Sequence, residues 1–104
     1  MRKVKTASGA TGGAAALLAD AAGDLRAASG ASSGAEVVRT SGPQPVTYAW
    51  SESQKATVRA VAGQPEATRE YPDCRLSVAT QARMATIEVR SGAVTLRTRA
   101  YMRN

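Results

Sequence analysis

From residue 35 onward, apolar and polar positions alternate with a period of two, the spacing of a half-buried β-strand. In the last such run Val94, Leu96, Thr98, Ala100 and Met102 share one face, and Thr95, Arg97, Arg99, Tyr101 and Arg103 share the other. Just before it, Ile87 and Val89 alternate with Glu88 and Arg90, and Ser91-Gly92 supplies the turn between the two runs. Val46, Tyr48 and Trp50 also share a face. In the next run the core set is either Thr57, Arg59 and Val61 or Val58, Ala60 and Ala62. The second set is more apolar and is the expected one. These patterns predict strands over residues 36–40, 45–50, 56–62, 67–71, 75–80, 85–90 and 93–101. Gly, Pro, Ser and Asp mark the breaks between them. Strands at intervals of about ten residues point to a small antiparallel sandwich, barrel or rolled sheet.

The N-terminal third has a different period. Leu17, Ala21, Leu25 and Ala28 follow helical spacing, with Leu18 and Ala22 beside them, and predict a helix over residues 14–28. Thr11 suits its start and Gly30 its stop. Asp20, Asp24 and Arg26 sit away from the leucine face and are expected in solvent. Gly23 interrupts the stripe at a cost of about 1 kcal/mol relative to Ala. Of residues 1–35, 24 are Ala, Gly, Ser or Thr, so residues 1–12 and 29–34 read as flexible arm and linker. The expected fold class is mainly β (a β-rich α+β chain). A low-complexity arm with one short Ala-rich helix (1–34) precedes a small antiparallel β domain (35–104). Leu17, Leu18 and Leu25 are the candidate packing residues of the helix.

Composition narrows this picture. The chain has 104 residues, room for one small domain. Ala alone contributes 22 of its apolar residues, while Val, Leu and Ile together number 15. Apolar burial per residue is therefore thin, and a domain of this size gains much from a partner or from copies of itself. No run approaches the roughly 18 apolar residues of a membrane span. Met1-Arg2-Lys3-Val4-Lys5 and Ala19-Asp20-Ala21 mimic the two ends of a signal peptide. Glycines interrupt the stretch between them, so the expectation is a soluble protein, cytoplasmic at synthesis.

Charge and chemistry point away from catalysis. There is no His, so Ser-His and Cys-His pairs cannot form, and the single Cys allows neither an intrachain disulfide nor a cysteine metal cluster. Cys74 beside Arg75 is a reactive thiol or, in the more ordinary case, a small buried hydrophobe. Asp20 with Asp24, and Glu66, Glu70 and Asp73, read as solvated carboxylates without the density of a calcium loop. Residues 9–13, rich in Gly ahead of a helix, lack the ending of a phosphate loop. No cofactor or metal is expected.

The formal charge is +6, with 14 basic against 8 acidic residues. Residues 1–5 carry +3, residues 6–74 carry −2 and residues 75–104 carry +5. The last strand, with Arg97, Arg99, Tyr101 and Arg103, and with Arg90 from its neighbour, is the candidate interaction or nucleic-acid surface. Tyr48 and Trp50 are the candidate apolar interface anchors. The organisation resembles that of small accessory subunits of larger assemblies, such as virion connectors or filament subunits. The leading expectation is a non-catalytic structural or interaction subunit, bound to copies of itself or to a larger protein assembly such as a virion. Its helix would reach onto a neighbour. The alternatives are a small nucleic-acid-binding protein and a small inhibitor that caps an acidic partner surface.

Overall fold

The computed structural model describes residues 2–34 and 36–103, with side chains from Gly13 onward. A helix, α1 (Arg2–Ala27), leads into eight strands. These are β1 (Gly30–Gly34), β2 (Val37–Ser41), β3 (Val46–Ser51), β4 (Ala56–Val61), β5 (Gln64–Pro72), β6 (Arg75–Gln81), β7 (Met84–Ser91) and β8 (Val94–Tyr101). Every strand pair is antiparallel, and each sheet is a simple meander: β1-β2-β3-β4-β5 in one and β6-β7-β8 in the other. The protein is thus mainly β, an α+β fold of one helix and two sheets. Seven strands stand where alternation places them. The eighth, β1, occupies residues read as linker. Its sequence, Gly-Ala-Ser-Ser-Gly, carries no apolar alternation, so its strand character comes from pairing with β2 across the full length of both. α1 begins at Arg2, well ahead of the expected start at residue 14, so the backbone of residues 2–12, read as a flexible arm, continues the helix. The side chains of the basic tail and of the Gly-rich stretch before Gly13 lie outside the described residues.

Two-residue turns close three of the hairpins, at residues 62–63, 82–83 and 92–93. Gly92, at φ 60°, takes the left-handed conformation such a turn requires, and Ala82 takes the same conformation at φ 55° despite its Cβ.

The helix lies between the two sheets. Ala14, Leu17, Ala21 and Leu25 are buried in one core with Ala85, Ile87 and Val89 of β7 and Ala100 of β8. This is the leucine face the sequence predicts, and its small alanines let helix and sheet approach closely. Leu17 and Leu25 are therefore spent within their own chain and do not reach onto a neighbour; Leu18 is half-buried at the margin of the same cluster.

Two expectations are corrected on the other side of the helix. Asp20 and Asp24 are half-buried rather than free in solvent. Asp24 lies about 60° and Asp20 about 100° round the helix from the centre of the leucine stripe, and both turn towards the five-stranded sheet. The inward set of β4 is Thr57, Arg59 and Val61, not Val58, Ala60 and Ala62, because Arg59 stands opposite Tyr48 in the ladder and finds Asp24 above it. A charge-assisted, two-pronged hydrogen bond makes that inward position tenable.

Candidate interaction surface

Alternation along β7 and β8 sends one set of side chains to the helix, that of β6 sends one set towards the five-stranded sheet, and in all three the other set lies on the outer face of the three-stranded sheet. Ladder register decides which outward residues become neighbours. Arg75 of β6 stands opposite Arg90 of β7. Glu88 of β7 stands opposite Arg97 of β8, Thr86 opposite Arg99, and Met84 opposite Tyr101. The sequence-predicted set Arg90, Arg97, Arg99 and Tyr101 is thus assembled on one face. Arg103 follows the end of β8, exposed, and its backbone N–H donates to the Ala28 carbonyl at 2.7 Å, fastening the end of the strand to the end of the helix. Tyr101 is 68% exposed and is the one large hydrophobic residue left open among the described residues.

Glu88 is the only carboxylate on this face. Arg97 donates to it at 2.6 Å, and Arg90 approaches its other oxygen at 3.4 Å. The hydrogen bond from Arg97, aided by the charge of Arg90, holds the Glu88 carboxyl below the usual carboxylate range. Both guanidiniums remain mostly in water, at 67% and 70% exposure, so the pairs are weakly held and open to exchange.

Arg75 is the member sequence reasoning missed. It pairs with Glu36, and its guanidinium carbon sits 4.0 Å from the centroid of the Trp50 ring. The indole N–H donates to Glu52 at 3.0 Å, and Glu52 in turn holds Lys55 at 2.5 Å. An open recess of about 660 Å³ lies here, lined by Trp50, Lys55, Asp73, Arg75, Arg90 and Gly92 among others. A second cleft of about 380 Å³, between the β1–β2 hairpin and β6–β7, shares Arg75 and Arg90 with it. The structure thereby brings Trp50 next to the arginine face. No local pattern marks Arg75; ladder register alone sets it beside Arg90.

Of the two expected interface anchors, Trp50 is half-buried and Tyr48 is not accessible. Tyr48 is buried, and its hydroxyl donates to Asp24. Arg59 holds the same carboxylate at 2.8 and 3.0 Å. One turn earlier the motif repeats, with Tyr71 and Arg69 both donating to Asp20. Burial first, and then the carboxylate each one faces, push both tyrosine hydroxyls well above the ordinary tyrosine range. The hydrogen bond to Asp24 likewise raises Arg59. Asp24 accepts from three donors and Asp20 from two, and both fasten the helix to the sheet.

Cys74 is buried at the β5–β6 turn, and burial pushes its thiol pKa up, away from reactivity. The described residues contain no group of three His, Cys, Asp or Glu side chains that could hold a metal ion. No helix among them is long and apolar enough to cross a membrane. No protein-family model, curated protein or solved structure matches this chain.

Proposed function

We propose that this protein is a non-catalytic interaction subunit of a larger assembly, and that it docks through the outer face of β6–β8 onto a partner bearing acidic groups. The observation that carries this reading is the segregation of charge. Arg75, Arg90, Arg97 and Arg99 share one open face, to which β6–β8 send one carboxylate, Glu88, and at whose Arg75 end Glu36 stands, while Asp20 and Asp24 are drawn inward to the helix–sheet seam. Guanidiniums in that arrangement recognise carboxylate or phosphate groups bidentately.

The same charge disfavours a second copy as the occupant of this face, because two such faces would repel. Strand addition at the β5 edge is also opposed, since Pro65, Pro72, Glu66, Arg69 and Glu70 interrupt or charge it. An acidic partner on the arginine face fits these constraints best.

Salt elution from immobilised heparin, a generic polyanion, tests the reading. The double variant Arg97→Glu with Arg99→Glu is expected to elute at far lower salt than the parent. Equal elution of the two proteins would remove this face from the docking role.

A further inference from the structure

Resting on that reading, we infer that the acidic partner is a single-stranded nucleic acid laid diagonally across the outer face of β6–β8, with a base stacked on Tyr101.

Three features of the face select this partner over an acidic protein or a duplex. The first is its ends. Tyr101 closes one end of the track with an open aromatic ring. Arg75 closes the other with a half-exposed guanidinium plane backed by the Trp50 indole. Both are flat stacking platforms for an unpaired base, whose π-face is available in a single strand and hidden in a duplex.

The second feature is the path between the ends. Arg97, Arg99 and Tyr101 project from alternate positions of β8, about 7 Å apart along the strand. Arg90 and Arg75 continue the track across the sheet in one ladder row. Cations therefore run from one platform to the other, held only by the exposed, exchangeable pairs with Glu88 and Glu36, which is how a phosphate backbone is followed without reading its sequence.

The third feature is shape. A B-form major groove admits a helix or a two-stranded ribbon. A three-stranded sheet presenting its broad side is wider than that, so base edges within a duplex stay out of reach. Duplex DNA offers this face only phosphates, whereas a single strand offers phosphates and bases together.

Glu88 sets the strength of the site. It occupies Arg97 and Arg90 in the free protein and would sit beneath the phosphates in the complex. Removing its charge frees two guanidiniums and removes a repulsion at once.

Fluorescence anisotropy with labelled oligothymidylate, against a duplex of the same length, tests the inference. Four phosphate contacts predict a loss of about 50-fold in affinity between 50 and 200 mM salt. Arg97→Ala with Arg99→Ala should reduce that loss to about sevenfold. Tyr101→Ala should weaken single-strand binding about fivefold or more. Glu88→Gln should tighten it, a gain that no loss of folding could imitate. Circular dichroism of each variant checks the fold. Absence of binding at 50 mM salt, equal affinity for duplex and single strand, or indifference to Tyr101→Ala would each overturn the inference. If any of these occurs while heparin retention still depends on Arg97 and Arg99, the docking-face reading stands and only the nucleic-acid partner is lost. Failure of both assays removes both.

Discussion

The two sheets hold one helix by opposite means. The three-stranded sheet meets α1 through Ala85, Ile87, Val89 and Ala100, all fully or almost fully buried against Leu17 and Leu25. The five-stranded sheet meets the neighbouring stripe of the same helix through Tyr48, Arg59, Tyr71 and Arg69, which converge on Asp24 and Asp20. The apolar side supplies the driving force, because area removed from water is what offsets chain entropy. The polar side adds direction. A carboxylate with three well-placed donors accepts one rotation of the helix and rejects its neighbours.

Arginine shows the same division. Arg59 is 19% exposed and committed to one carboxylate, whereas Arg97 and Arg90 are mostly in water and share another. The first is a structural fastener, and the others remain accessible from solvent. Residue type alone did not separate them; the covering element did.

Breaking the apolar side should cost most. Leu17→Ala is expected to lower stability by about 3 kcal/mol, since a fully buried leucine leaves a cavity in an alanine-rich core that has little to fill it with. Urea midpoints measure this. On the polar side, Asp24→Ala is expected to cost about 2 kcal/mol, because it strands Arg59 and the Tyr48 hydroxyl together. Asp20→Ala should cost about 1 kcal/mol or less, because Arg69 is 60% exposed and water replaces its partner. Equal losses for Asp20 and Asp24 would show that burial does not grade the two motifs.

The smallest effect concerns alkaline pH. A tyrosine whose folded-state pKa is raised contributes stability that is complete below the unfolded-chain value near 10. That contribution is lost as pH rises from there towards the folded-state value. Tyr48 should therefore cost the folded state about 1 kcal/mol by pH 11. Urea unfolding repeated from pH 8 upward should show this decline, and Tyr48→Phe should flatten it. An unchanged pH dependence in that variant would place the alkaline-labile group elsewhere.

Much of this architecture is legible along the chain. Alternation and turn residues locate β2 to β8 within a few residues, most clearly where one face is buried as in β7, and helical spacing locates the leucine stripe for the same reason. β1 is invisible to that method, since Gly30–Gly34 buries no large apolar side chain and takes its conformation from the strand beside it. The arginine face is partly legible. Arg97, Arg99 and Tyr101 share a strand, so period two places them together, but Arg75 joins only through a ladder that no local pattern encodes. Asp20, Asp24 and Arg59 misled because charge on a helix or strand ordinarily signals solvent. Their burial depends on partners 35 and 49 residues away.

By itself, then, the sequence determined the local periods: a helix with one apolar stripe, strands with two distinct faces, and a C-terminal run that collects basic residues on one of them. Tertiary structure alone decided what covers each face. It put two carboxylates inside and Tyr48 beneath them, and it left Trp50 under Arg75 at the margin of the arginine surface. The physical reason is that periodicity fixes which side chains point together, while the cost of burying a charge is settled only by the donors that distant elements bring to it.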